Sequence, residues 1–76
     1  MKLNEAIELG KQSEWLEAHV RMNPADRKQW YVTLRDIHNK SFILADNDDK
    51  PIAMEDMHAL ARVIQSIGLV EFTVIL

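Results

Sequence analysis

QWYVTLRDIHNKSFILAD, Gln29–Asp46, is the stretch on which the fold turns, because its apolar residues recur every second position. Trp30, Val32 and Leu34 alternate with Tyr31, Thr33 and Arg35, and Phe42 and Leu44 alternate with Ile43 and Ala45. That period belongs to strands with one buried face. The intervening Ile37-His38-Asn39 suits a three-residue hairpin loop with Asn39 in the left-handed conformation. This loop sets Leu34 opposite Phe42 and Val32 opposite Leu44, so the apolar faces coincide. A slip of one residue would set Thr33 against Phe42 and mix the faces.

Working outward from the hairpin, MEDMHALARVIQSIG reads as a helix with Met57, Ala61, Ile64 and Ile67 as its apolar stripe. Glu55 and Asp56 suit its positive N-terminus, and Gly68 suits its C-terminal cap. VEFTVIL then reads as a strand with Val70, Phe72, Val74 and Leu76 on one face. Upstream, Asn4 is placed to cap a short helix that Gly10 would stop. Ser13 is placed to cap a second, with Trp15, Leu16, His19 and Val20 on one side. MNPADRK ends that helix as a capped single turn.

The expected fold is therefore a single α+β domain over residues 1–76, of order ααββαβ. A helical N-terminal segment, residues 1–28, precedes a ββαβ core, residues 29–76, whose three-stranded antiparallel sheet has the order 2-1-3. One face of this sheet carries the C-terminal helix. The other would present Tyr31, Thr33, Arg35, Ile43, Ala45, Thr73 and Ile75, too apolar a set for a plain solvated face. Either the N-terminal helices cover it or it is an interface.

Composition narrows the chemistry. With no cysteine among 76 residues, disulfides, thiolate zinc sites and cysteine nucleophiles are excluded. There is no phosphate-cradling glycine loop and no nucleophile elbow around Ser13, Ser41 or Ser66. His19, His38 and His58 fall on three different elements, and Glu55 with His58 makes only half of a di-iron pair. Asp46 and Asp48 imitate the first positions of a calcium loop, but Lys50, Pro51 and Met57 stand where the remaining ligands and the turn glycine belong. The residues point to no metal, no cofactor and no catalytic centre. Neither a signal-peptide core nor an apolar run of membrane-spanning length is visible, so the expected setting is cytoplasmic, with no membrane partner.

The net charge of −3 is uneven: residues 1–40 hold seven Lys and Arg against six Asp and Glu, whereas residues 41–76 hold two against six. A nucleic-acid-binding regulator would have to use Arg27, Lys28, Arg35 and Lys40, with Tyr31 as a stacking platform. The acidic second half disfavours nucleic acid as a partner.

Taken together, the hairpin pattern WYV-L-D…K-FILAD and the final IGL-EFTV resemble small accessory proteins of plasmids, phages and integrative conjugative elements. The likeness extends over about two thirds of the chain, and in size, mild acidity and αβ build it is similar to anti-CRISPR and other anti-defence inhibitors. That resemblance implies a non-enzymatic protein-binding module, an inhibitor of a bacterial defence complex that acts by occupying a surface. The residues expected to meet the partner are Asp46, Asp48 and Asp49 in the acidic loop, and Tyr31, Arg35, Ile43 and Ile75 on the open face. A homodimer is a further expectation, formed through the unprotected edge of EFTVIL or through the open face. In that arrangement Val74 points into the core and Ile75 onto the open face.

Overall fold

The computed structural model describes all 76 residues, as two helices on one face of a mixed five-stranded sheet. The elements are α1 (Leu3–Lys11), β1 (Trp15–Asn23), β2 (Asp26–Asp36), β3 (Ser41–Ile43), β4 (Ala53–Met54), α2 (Met57–Ser66) and β5 (Thr73–Ile75). The sheet runs β3-β2-β1-β5, with β4 also paired to β2.

The predicted hairpin is present in its predicted register. Leu34 pairs with Phe42, Leu44 N–H donates to Val32 C=O, and Asn39 has φ +63°. After the turn at 46–50 the chain returns to the same edge of β2, where Tyr31 pairs with Ala53 and Trp30 with Met54. Helix α2 also forms, but over a shorter span than the expected 54–68: Ala53 and Met54 belong to β4, and Leu60, not Met57 or Ala61, is buried beside Ile64 and Ile67. Asp56 caps it by accepting from His58 N–H at 2.9 Å, and Gly68 ends it at φ +96°.

The N-terminal third departs from expectation. Residues 15–23 form not a second helix but β1, which pairs antiparallel with β2 from Trp15–Asp36 to Asn23–Asp26. The segment Glu17–Met22 alternates polar and apolar at every position, and Ala18 and Val20 are buried while Glu17, His19 and Arg21 are not. Pro24 and Ala25 are the tip of a hairpin, with Asn23 Oδ1 accepting from Ala25 N–H, rather than a helical turn. The division into a helical segment at residues 1–28 and a core at residues 29–76 therefore fails, because the longest strand pairing joins the two.

With β1 inserted, the order 2-1-3 is corrected as well. The last strand lies beside β1 and parallel to it, His19 opposite Thr73 and Arg21 opposite Ile75. Two positions proposed as helix signals act differently. Ser13 does not cap a helix but ends α1 in the left-handed conformation at φ +58°. Ser13 N–H donates to Gly10 C=O and Glu14 N–H to Leu9 C=O, the two bonds of a Schellman ending. Asn4 lies inside α1, whose N-cap is Lys2, and its own N–H donates to Asn47 Oδ1.

Both helices pack against the same sheet face. Ala6 of α1 and Leu60, Ile64 and Ile67 at α2 share one buried cluster with Ala18, Val20, Val32, Leu34 and Leu44. Trp15 closes one end of this cluster, with its indole N–H donating to Ala6 C=O at 2.8 Å and its ring edge-on to Phe42 at 6.0 Å. Val74 belongs to this side by its pairing with Val20, yet it remains 40% exposed because β5 is the edge of the sheet. No helix is long and apolar enough to cross a membrane.

Candidate functional site: the uncovered sheet face

Since neither helix crosses to it, the second face of the sheet is bare. Lateral pairing puts Tyr31, Arg21 and Ile75 in one row, Ile43, Thr33, His19 and Thr73 in the next, and Ser41, Arg35 and Glu17 in a third. None of these side chains is buried, and Ile43 is 52% exposed. Of the expected open-face residues, Tyr31, Thr33, Arg35, Ile43, Thr73 and Ile75 are on this face. Ala45 is the exception: it is buried, with its N–H donating to Met1 C=O, because the residues ahead of α1 run alongside it.

Strand β1 adds Glu17, His19 and Arg21, which a helical reading of 15–22 could not place. Their signal was the polar half of the Glu17–Met22 alternation. Glu17 organises one end of the face: its Oε1 accepts from Arg35 Nε at 2.8 Å and lies 3.3 Å from His19 Nε2. Arg35 Nη1 donates in turn to Asn39 Oδ1. The Arg35 hydrogen bond holds the Glu17 carboxyl below the usual carboxylate range, outweighing desolvation that acts in the other direction, and the charges of Arg35 and His19 add to the lowering. At the other end, Tyr31, Arg21 and Ile75 border a shallow depression of about 280 Å³ beside the β1–β2 turn.

The acidic loop lies elsewhere. Asp46, Asp48 and Asp49 sit in a turn against the first residues of α1, so the seven expected partner-binding residues separate into two places. The turn repeats, bond for bond, the one ten residues earlier. In DIHNK, Asp36 Oδ1 accepts from the N–H groups of His38 and Lys40, and in DNDDK, Asp46 Oδ1 accepts from those of Asp48 and Lys50. In each, the leading aspartate N–H donates to the lysine C=O, and the residue before the lysine is left-handed, Asn39 at φ +63° and Asp49 at +65°.

Asp46 is thus occupied by its own loop, while no hydrogen bond or ion pair engages the carboxylates of Asp48 and Asp49. No three His, Asp or Glu side chains come together here or elsewhere in a metal-ligand arrangement. Asp46→Ala is expected to cost about 1–2 kcal/mol by removing two turn hydrogen bonds whose exposed N–H groups then turn to water. Asp48→Ala should stay within about 0.5 kcal/mol. Urea midpoints of the two variants check the contrast.

The basic residues of the nucleic-acid alternative do not form a patch. Arg27 and Arg35 are eight positions apart on β2, about 26 Å at strand rise. Lys28 lies at the Arg27 end and Lys40 at the Arg35 end, and Arg35 is engaged by Glu17. No protein-family model matches the chain, and no curated protein or solved structure matches it either.

Proposed function

We propose that the protein is a non-enzymatic protein-binding module whose contact surface is the bare sheet face, centred on Tyr31, Arg21 and Ile75. The observation that carries this reading is the depression these three side chains border on a face that both helices leave uncovered. Tyrosine and arginine are over-represented among the residues that dominate binding energy, because each combines a large apolar surface with a directed polar group. Around them Thr33, Thr73 and His19 supply a polar rim and Ile43 an apolar outlier. The narrower form of the proposal, a mobile-element inhibitor of a bacterial defence complex, is supported by the small size, the mild acidity and the resemblance of the hairpin.

The test is a paired capture from bacterial lysate with the wild-type chain, the Tyr31→Ser/Ile43→Lys variant and Asp48→Ala. A protein held by the wild type and by Asp48→Ala, with affinity reduced more than about 30-fold in the double variant, supports the open face. Retention by the double variant with loss by Asp48→Ala would transfer the contact to the acidic turn. An affinity for DNA or RNA that falls steeply with salt would favour the nucleic-acid reading instead.

A further inference from the structure

The depression on the bare face is walled by Met22, Pro24, Ile75 and Leu76 together with Arg21 and Tyr31, so its only charge is one guanidinium. Arg21 is exposed, and no ion pair engages it. The register explains why. Of the 12 Asp and Glu residues in the chain, only Glu17 falls in the three paired rows of this face. Glu17 is held by Arg35 and His19, and it lies four positions from Arg21 along β1, about 13 Å at strand rise. Glu71 is equally far from Ile75, and Asp26 at the hairpin end accepts from Lys28 N–H of its own strand.

A chain of net charge −3 therefore leaves one cation without a counter-charge, beside a half-buried tyrosine and among apolar residues. A planar guanidinium matches a carboxylate through two parallel hydrogen bonds. The surplus carboxylates elsewhere on the chain repel an acidic partner, which turns such a partner toward this face. A nucleic-acid strand would need several cations in line, and the separation of Arg27 from Arg35 does not supply them.

We propose that the depression receives an acidic side chain flanked by apolar ones, an Asp or Glu between residues such as Leu, on the surface of a protein partner. The proposal rests on the bare face being the contact surface and adds the chemistry of what it contacts. The carboxylate pairs with Arg21, and the Tyr31 hydroxyl offers a further donor. The flanking apolar side chains cover Pro24 and Ile75, excluding water and strengthening the pair.

The experiment titrates the isotope-labelled full chain, at low salt, with the end-blocked peptides Gly-Leu-Glu-Leu-Gly, Gly-Leu-Gln-Leu-Gly and Gly-Leu-Lys-Leu-Gly to about 5 mM, a range that detects weak binding. The Glu peptide is expected to shift the amides of Arg21, Tyr31 and Ile75 and to bind about tenfold or more tightly than the Gln peptide. Arg21→Gln should abolish that preference, and Arg21→Glu should transfer it to the Lys peptide; both change an exposed side chain. Equal binding of the Glu and Gln peptides at the depression would overturn the acidic partner and leave the bare-face reading standing. A preference that survives Arg21→Gln, shifts centred away from the depression, or no shift at the highest concentration would each overturn the inference as well. The bare-face reading itself falls only by the capture with Tyr31→Ser/Ile43→Lys, so the two failures are distinguishable.

Discussion

Gly10→Ala is expected to remove most or all of the folded population at 25 °C, although helix propensity alone predicts a gain. Gly10 lies in α1, where alanine is favoured over glycine by about 1 kcal/mol. A Cβ at this position, however, would overlap the carbonyl oxygen of Ile67 and stand 2.7 Å from its carbonyl carbon. Those are backbone atoms at the C-cap of α2, so no rotamer change can relieve the contact. The two helices would have to separate, drawing Ile64 and Ile67 from the core. Overpacking that forces backbone shifts costs about 1–3 kcal/mol, and exposing the Ile64 and Ile67 side chains adds about 1.5–3 kcal/mol for each. A chain of this length holds only about 4–11 kcal/mol in total.

The neighbouring Gly68→Ala provides the contrast. Its Cβ would meet Gly10 C=O at 3.4 Å, an ordinary contact, so the cost is the strain of φ +96°, about 1–3 kcal/mol. Urea unfolding followed by circular dichroism checks the ranking. A midpoint for Gly10→Ala at or above that of the wild type would refute the close helix contact.

Trp15→Ala should be nearly as damaging, at about 3–5 kcal/mol. Trp15 is 7% exposed, fills the space between α1 and β3, and is the residue through which β1 reaches both. Trp15→Phe separates the two contributions. It keeps a ring against Phe42 but loses the indole N–H bond to Ala6 C=O, which as a helical carbonyl still has an N–H four residues ahead. The expected cost is about 1 kcal/mol for the bond, with the remainder of the alanine effect assigned to volume. Thermal unfolding of the three chains measures both. A phenylalanine variant as unstable as the alanine one would make the hydrogen bond, not the volume, dominant.

Residues 29–46 were legible because their information is local. Leu34 against Phe42 follows from a three-residue loop and two apolar faces that match in only one register, and Asn39 tolerates the left-handed conformation the loop requires. The C-terminal end of α2 was legible for the same reason, since Gly68 acts on backbone within a turn, whereas its start was read three residues early because Ala53 and Met54 are drawn into β4 by pairing with β2. Residues 15–22 were not, because Trp15, Leu16, His19 and Val20 also fit a helical face. In a window this short the two periods overlap. The pairing of Glu17–Met22 with Trp30–Arg35, most of it between residues more than ten apart, resolves the choice toward a strand.

For the candidate site the same division applies. Tyr31, Arg35, Ile43 and Ile75 share a face because alternation along each strand and the register between strands put them there, and alternation can be read residue by residue. That the face is bare could not be read, since it depends on where α1 packs and on whether β1 widens the sheet. The acidic loop misled in a related way: three aspartates suggest an exposed patch, but Asp46 is consumed by turn hydrogen bonds that resemble those of Asp36.

By itself, then, the sequence determined the hairpin and its register, the presence of α2 and the glycine that ends it, and the polar-apolar alternation of β2 and β3, because these rest on steric and hydrogen-bonding preferences between near neighbours. Only the tertiary structure decided that β1 lies between β2 and β5, that both helices cover one face, and that Gly10 is required for their contact. Those outcomes come from burying apolar surface between segments far apart in the chain, and no local window contains the competing arrangements against which that burial is compared.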